Sequence, residues 1–146
     1  MQLTIFTDYG LRSLMFLAAQ PNKLCSVQEI ADHYGISYNH LVKVVHRLSQ
    51  LGYVQSVRGK GGGIKLAKDA MTLKLGDLVS TLEPNMDIVE CFNRDTNTCR
   101  ITNNCRLKHY LFDAKSAFIA SLNNRTLADA VKNTDTKPSK ESSTLI

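Results

Sequence analysis

A chain of 146 residues, 43% of them hydrophobic, can bury one core of ordinary size and is expected to fold. Its net charge of +5 favours an anionic partner, and no apolar run approaches the roughly 20 residues of a membrane span. Met1 to Phe6 lack the basic region and long apolar core of a signal peptide, which predicts a cytoplasmic protein with no membrane contact. Thiols stay reduced in that compartment, so the four cysteines are expected to be ligands, reactive thiols or core residues rather than disulfides.

Thr7 is placed to cap a first helix over about 8–19, with Leu11, Leu14, Met15 and Ala18 as its apolar stripe. Ser26-Val27-Gln28-Glu29 is a capping box, and the helix it opens carries Ile30 and Ala31 inward and stops near Tyr34-Gly35. Ser37 is expected to cap a third helix over 38–51, with Leu41, Val44, Val45, Leu48 and Leu51 buried. Gly52 stands where a left-handed residue ends it. The short turn at 34–36 makes this pair a helix-turn-helix. Tyr53 to Val57 and Ile64 to Leu66 alternate as strands on either side of a glycine-rich turn, which predicts a β-hairpin wing. A short helix is expected over 75–82, ending before Pro84. Residues 85–104 lack periodicity. A long helix over 105–122 then repeats Leu107, Tyr110, Leu111, Ala114, Ala117, Phe118 and Leu122 at threes and fours. That stripe is longer than a small domain needs to cover itself, which predicts pairing with a second copy. Thr126 is placed to cap a last short helix.

The expected fold class is mainly α with a small β-hairpin wing. It comprises a winged helix-turn-helix over 1–83, a cysteine loop over 84–105, a dimerisation helix and short C-terminal helix over 105–131, and a disordered polar tail over 132–146.

Charge placement narrows the partner. From His33 to Lys68 there is no acidic residue, while Lys43, Arg47, Arg58, Lys60, Lys65 and Lys68 fall within the same stretch. It spans the recognition helix and wing, and a cationic surface there releases counterions on meeting phosphate, so the predicted partner is double-stranded DNA. The first turn of the recognition helix faces base edges in such motifs, and here it holds Ser37, Tyr38, Asn39 and His40. Asn39 has the groups to read adenine, and His40 to meet a purine. Lys43, Arg58 and Lys60 add cationic contacts, the wing pair being of a type that enters a narrow minor groove. The competing reading is a solvated basic face on a winged helix that binds protein.

Cys91, Cys99 and Cys105 lie in a polar loop at C-x7-C-x5-C spacing. Thiolates concentrated in this way select soft metals, and spacing alone leaves an iron–sulfur cluster, zinc and redox thiols as candidates. Structural zinc usually shows paired CxxC ligands and a closed set of four, and neither is present. Cys25, isolated just before a helix cap, is expected to be structural. His109 is a geometric candidate for a fourth ligand. Asp8 by position alone is an acidic residue favoured at a helix N-terminus.

The segments Thr7-Asp8-Tyr9-Gly10-Leu11-Arg12 and Val57-Arg58-Gly59-Lys60-Gly61-Gly62-Gly63, followed by the three-cysteine loop, resemble the iron–sulfur winged-helix regulators, the family that includes IscR and the NsrR-type nitric-oxide-sensing repressors. The resemblance covers about residues 1–131. Asn39-His40-Leu41-Val42-Lys43, Gly52-Tyr53-Val54 and Cys105-Arg106-Leu107-Lys108 look most like the NsrR type. The resemblance implies a homodimer cross-paired through the long helix. It also implies a cluster, 4Fe-4S in preference to 2Fe-2S, bound by Cys91, Cys99, Cys105 and Asp8 of the partner subunit. The position of the IscR-like histidine ligand is Lys108 here, a departure from that type.

The resulting expectation is a repressor that holds an inverted-repeat operator and releases it when nitric oxide nitrosylates the cluster, derepressing nitric oxide detoxification genes. An IscR-like monitor of iron–sulfur status and a zinc-stabilised winged-helix interaction module are the alternatives. No Walker motif, nucleophile elbow or Ser/His/Asp grouping suggests an enzyme.

Overall fold

Capping chemistry sets most helix ends. The computed structural model describes residues 2–132, and its elements run α1 Ile5–Ala18, α2 Val27–Tyr34, α3 Tyr38–Gln50, β1 Val54–Val57, β2 Gly63–Leu66, α4 Leu75–Leu82, a 3-10 turn at Glu90–Phe92, α5 Arg106–Asn123 and α6 Leu127–Val131. The architecture is therefore mainly helical with one antiparallel hairpin, as expected. At α2 the Ser26 hydroxyl accepts the Glu29 amide at 3.1 Å, and the Glu29 carboxylate accepts the Ser26 amide at 2.6 Å. Two otherwise orphaned donors are thereby satisfied. Gly35, at φ 64°, closes the same helix. Gly52, at φ 73°, takes the chain from α3 into β1. A second capping box, Thr126 with Asp129, opens α6.

The first helix departs from expectation. It begins at Ile5, and its cap is Thr4 rather than Thr7. Thr4 Oγ1 accepts the Thr7 amide at 3.3 Å. Glu83, at the end of α4, accepts both the Thr4 amide at 2.8 Å and the Thr4 hydroxyl at 3.2 Å. The helix start is thus determined by a carboxylate 79 residues away. Its buried face is correspondingly displaced to Thr7, Gly10, Ser13, Leu14 and Leu17. A methyl group on Gly10 would stand 3.0 Å from Leu82 Cδ1, so the small residue permits close approach of α1 to α4. Ser37 does occupy the cap position of α3, but its hydroxyl makes no capping hydrogen bond.

The core gathers Leu14, Leu17, Ile30, Leu41, Leu48, Leu78 and Leu127, all essentially inaccessible. Leu127 comes from beyond the long helix. α6 returns to the winged domain, where the Leu127 amide donates to Leu73 O at 2.7 Å. Strands β1 and β2 pair in the register Val54 with Leu66 and Val57 with Gly63. Cys25 extends this ribbon, exchanging hydrogen bonds of 2.9 and 2.7 Å with Ile64. Its thiol is buried, which accords with a structural role.

Helix α5 buries no residue fully. It crosses α4 closely at Gly76, where a methyl group would meet Ile119 O at 2.5 Å, and Asn123 exchanges hydrogen bonds with Asp77 of 3.0 and 2.9 Å. Among the described residues no helix is long and apolar enough to cross a membrane. The polar tail expected over 132–146 lies, beyond Lys132, outside the described residues.

The Glu29 carboxyl is held down from its ordinary 4.5 to about 2, chiefly by the Lys23 ammonium at 2.6 Å and then by the Ser26 amide. A depressed folded-state value stabilises the fold above the unfolded value, and that contribution is lost as pH falls through the folded one. Glu29→Gln should therefore lower the thermal midpoint modestly at neutral pH, with the difference shrinking between pH 4.5 and about 2. A difference independent of pH in thermal melts would assign the effect to packing instead.

Candidate DNA interface and cysteine loop

Helix α3 buries Leu41, Val44, Val45 and Leu48 and turns its other residues outward. Ser37, Tyr38, Asn39, His40 and Lys43 are all exposed. Among the described residues, the side chains of Ser37, Asn39, His40 and Lys43 have no hydrogen-bond or ion-pair partner, so their polar groups are free for an external ligand. His46, later in the helix, is engaged with Gln50 at 3.2 Å. The absence of a capping bond at Ser37, unexpected from sequence, leaves its hydroxyl among these free groups.

The wing tip follows from its glycines. Gly59 and Gly61 adopt φ of 102° and 80°, and the Gly62 amide donates to Gly59 O at 2.9 Å. A methyl group on Gly62 would lie 2.3 Å from Val57 O, which no side chain can tolerate. The turn holds Arg58 and Lys60 exposed at the tip. At the base of the wing, the Tyr53 hydroxyl donates to Thr81 Oγ1 of α4 at 3.4 Å, and Lys68 Nζ lies 5.3 Å from the Tyr53 ring. Ion pairs among the described residues join Arg12 to Asp8, Lys23 to Glu29 and Lys132 to Asp129. None draws on a cation of α3 or the wing, so that positive surface carries no internal counter-charge.

The loop after α4 is shaped by asparagines. Asn85, Asn93 and Asn97 each accept, through Oδ1, the amide two residues on, at 2.7, 3.0 and 3.0 Å. These are Asx turns, which explain the missing periodicity: short polar side chains replace regular backbone pairing. Cys91 sits in the 3-10 turn and is buried. Cys99 is half-buried, its amide held by Asn97. Cys105 caps α5, its Sγ accepting the Lys108 amide at 3.4 Å.

The loop thus supplies three soft donors on one segment, a set whose chemistry fits an iron–sulfur group. Among the described residues no three or more His, Cys, Asp or Glu side chains are gathered closely enough to hold a metal ion. Asp8 faces Arg12, with contacts of 2.9 and 3.0 Å on the exposed side of α1. His109 is exposed on α5. Burial pushes the Cys25 thiol up, and that residue stands apart in the hairpin region.

A pocket of about 210 Å3 opens beside Cys91, lined also by Phe92, Arg94, Lys108, Phe112 and Lys115. Sequence reasoning missed these cations. The available signal was the placement of Lys108 and Lys115 two helical turns apart, on one face of the helix that Cys105 opens.

A family model described as Rrf2, iron-dependent transcriptional regulator, matches residues 3–133. The chain is 49% identical over 136 residues to the HTH-type transcriptional regulator NsrR of Shouchella clausii (strain KSM-K16), covering 92% of this chain and 91% of the relative. It is 49% identical over 134 residues to that of Bacillus subtilis (strain 168), covering 91% and 92%. Among solved structures it resembles CymR (YrzC), the global cysteine regulator of B. subtilis, with a TM-score of 0.76 and 25% identity over 92% of this chain and 99% of that one. It also resembles T. potens IscR, with a TM-score of 0.73 and 26% identity over 90% and 87%.

Proposed function

The chain belongs to the Rrf2 family of transcriptional regulators, and from that premise we propose that it is a cytoplasmic, nitric-oxide-responsive repressor. Its homodimer binds an inverted-repeat DNA operator while it holds an iron–sulfur cluster, 4Fe-4S in preference to 2Fe-2S. It leaves that operator when nitric oxide reacts with the cluster, and genes of nitric oxide detoxification are derepressed. The observation that carries this reading is the joining of a recognition helix and wing, whose cations form no ion pair among the described residues, to a loop of three thiols, in a chain 49% identical to NsrR regulators.

On the DNA side, Ser37, Asn39 and His40 meet base edges in the major groove. Lys43, Arg58 and Lys60 meet phosphate or the minor groove. On the sensor side, Cys91, Cys99 and Cys105 hold the cluster together with the partner's Asp8. The bound cluster supplies the iron with which nitric oxide reacts. In this structure both carboxylate oxygens of Asp8 are engaged by Arg12, at 2.9 and 3.0 Å, a pairing that draws on the same oxygens a metal would use. Asp8 therefore has two competing partners, and its choice bears on α1, which packs against both α3 and α4. Two recognition helices must stand about 34 Å apart to enter successive major grooves, so a small rotation of α1 and α3 suffices to lose the operator. Lys108, where IscR-like members place a histidine ligand, supports the NsrR-like ligand set over the IscR-like one.

Dimerisation is supported by α5, whose Leu107 and Tyr110 are 62% and 63% exposed. An apolar stripe of that kind is characteristic of a face covered by another helix.

Arg58→Ala and Lys60→Ala should weaken binding to every duplex and flatten its salt dependence, each by about one unit of slope. Asn39→Ala and His40→Ala should instead cost about 1–3 kcal/mol on the operator with little change on random DNA. Equal losses on both duplexes in fluorescence anisotropy would count against base reading at 39 and 40. Phe118→Asp should place an unpaired charge at the pairing face and yield monomer or insoluble protein in sedimentation. An intact dimer with normal operator affinity would put the interface elsewhere.

The sensor is tested by anaerobic nitric oxide titration of purified protein while operator binding is followed. The parent should be coloured and should release DNA as nitric oxide is added. Cys91→Ala, Cys99→Ala and Cys105→Ala should be colourless with weak operator binding. Asp8→Ala should keep a cluster with altered nitric oxide kinetics and uncoupled DNA control. Normal kinetics and control in that variant would remove Asp8 from the ligand set and direct the search to His109.

A further inference from the structure

The pocket beside Cys91 is lined by three cations, Arg94, Lys108 and Lys115, and by no carboxylate. Like charges converging on one cavity repel one another unless an anion lies between them. The chain provides none among the described residues, since its ion pairs lie on α1, around α2 and on α6. Glu90, next to Cys91, accepts the Thr98 hydroxyl at 3.3 Å and is not part of the lining.

The two lysines are also held in place. Lys108 Nζ donates to Thr102 Oγ1 at 3.2 Å, while its amide donates to Cys105 Sγ at 3.4 Å. Lys115 Nζ lies 4.9 Å from the Phe92 ring and 5.8 Å from the Phe112 ring. Those two rings meet edge to face at 6.1 Å. Both lysines are half-buried, where charge is screened less than in open water, whereas Arg94 is exposed.

A thiolate-ligated iron–sulfur cluster carries net negative charge, and its potential responds to the charge and exposure around it. We propose that Lys108 and Lys115, with a weaker contribution from Arg94, form a cationic cradle that offsets the charge of the cluster held by Cys91, Cys99 and Cys105 and raises its reduction potential. The inference rests on the iron–sulfur reading above. Reduction adds one electron, and so one negative charge, to the cluster. Cations beside Cys91 favour that added charge, and their removal disfavours it. The three residues are positioning groups, not ligands.

The test compares reconstituted full-length parent protein with Lys108→Met, Lys115→Met, Arg94→Met and Lys115→Arg in anaerobic dithionite titrations followed by visible and electron paramagnetic resonance spectroscopy. Iron content is assayed, and folding is checked by circular dichroism. Met keeps the length of the lysine side chain and removes its charge. The expected result is normal iron content with a potential shifted negative in Lys108→Met and Lys115→Met, a smaller shift in Arg94→Met, and the parent value in Lys115→Arg. Folded lysine-to-Met variants that lose iron while Lys115→Arg keeps it would also support the cradle, because charge and not bulk is then required. Unmoved potentials in loaded Met variants overturn the cradle and leave the cluster reading intact, as does loss of iron from folded Lys115→Arg as well. A parent that takes up no iron and sulfide overturns the cluster reading and the cradle with it.

Discussion

The contact between α1 and α4 is the constraint on which the rest of the molecule depends. Two features of α1 make it possible. Gly10 removes the side chain that would collide with Leu82, and the Thr4 amide and hydroxyl place the helix start on the Glu83 carboxylate. With α1 pinned at that end, Leu14 and Leu17 fall into the core against Leu41, Leu48 and Leu78. The opposite side of the same helix presents Asp8 and Arg12 to solvent. The helix that carries the proposed ligand is therefore also the one that supports the recognition helix, and a change at Asp8 has a short, packed route to α3.

A second consequence concerns α5. Its attachment to α4 uses Gly76, Asn123 and the Asp77 amide and carboxylate, a close backbone approach with polar bonds. Such a contact orients the helix without burying its apolar residues, and none of them is fully removed from water. α6 then folds back so that Leu127 completes the core beside α1. The C-terminal end of the long helix is thus tied to the winged domain. The apolar residues exposed toward its other end, Leu107 and Tyr110, are suited to meeting their equivalents on a second copy.

Charge is segregated along the same architecture. The acid-free segment from His33 to Lys68 becomes the outer side of α3 and the wing, and no carboxylate elsewhere among the described residues forms an ion pair with it. A separate positive site forms beside Cys91, from a loop arginine and two α5 lysines. The first is broad and open, suited to a polyanion. The second is small and bordered by Phe92 and Phe112, suited to a compact anionic group. Cys105 belongs to both the loop and α5, so one thiol and the two lysines are positioned by the same helix.

Signals confined to a few neighbouring residues were legible from sequence. The Ser26–Glu29 box, the helix stop near Tyr34-Gly35, the left-handed Gly52, the glycine-rich hairpin and the 75–82 helix depend on partners close in the chain, from Ser26 and Glu29 in the box to Val54 and Leu66 across the hairpin, and the structure contains them all. So too was the make-up of the loop, three thiols among asparagines and threonines. Only the tertiary structure decided the start of α1, since its cap answers to Glu83, 79 residues away. It also decided that Ser37 keeps a free hydroxyl, that Leu127 returns to the core, and that Arg94, Lys108 and Lys115 converge on Cys91. Local hydrogen bonds are encoded where they form, whereas the meeting of distant side chains depends on how closely whole helices approach, and in this chain that distance is set by single glycines at positions 10 and 76.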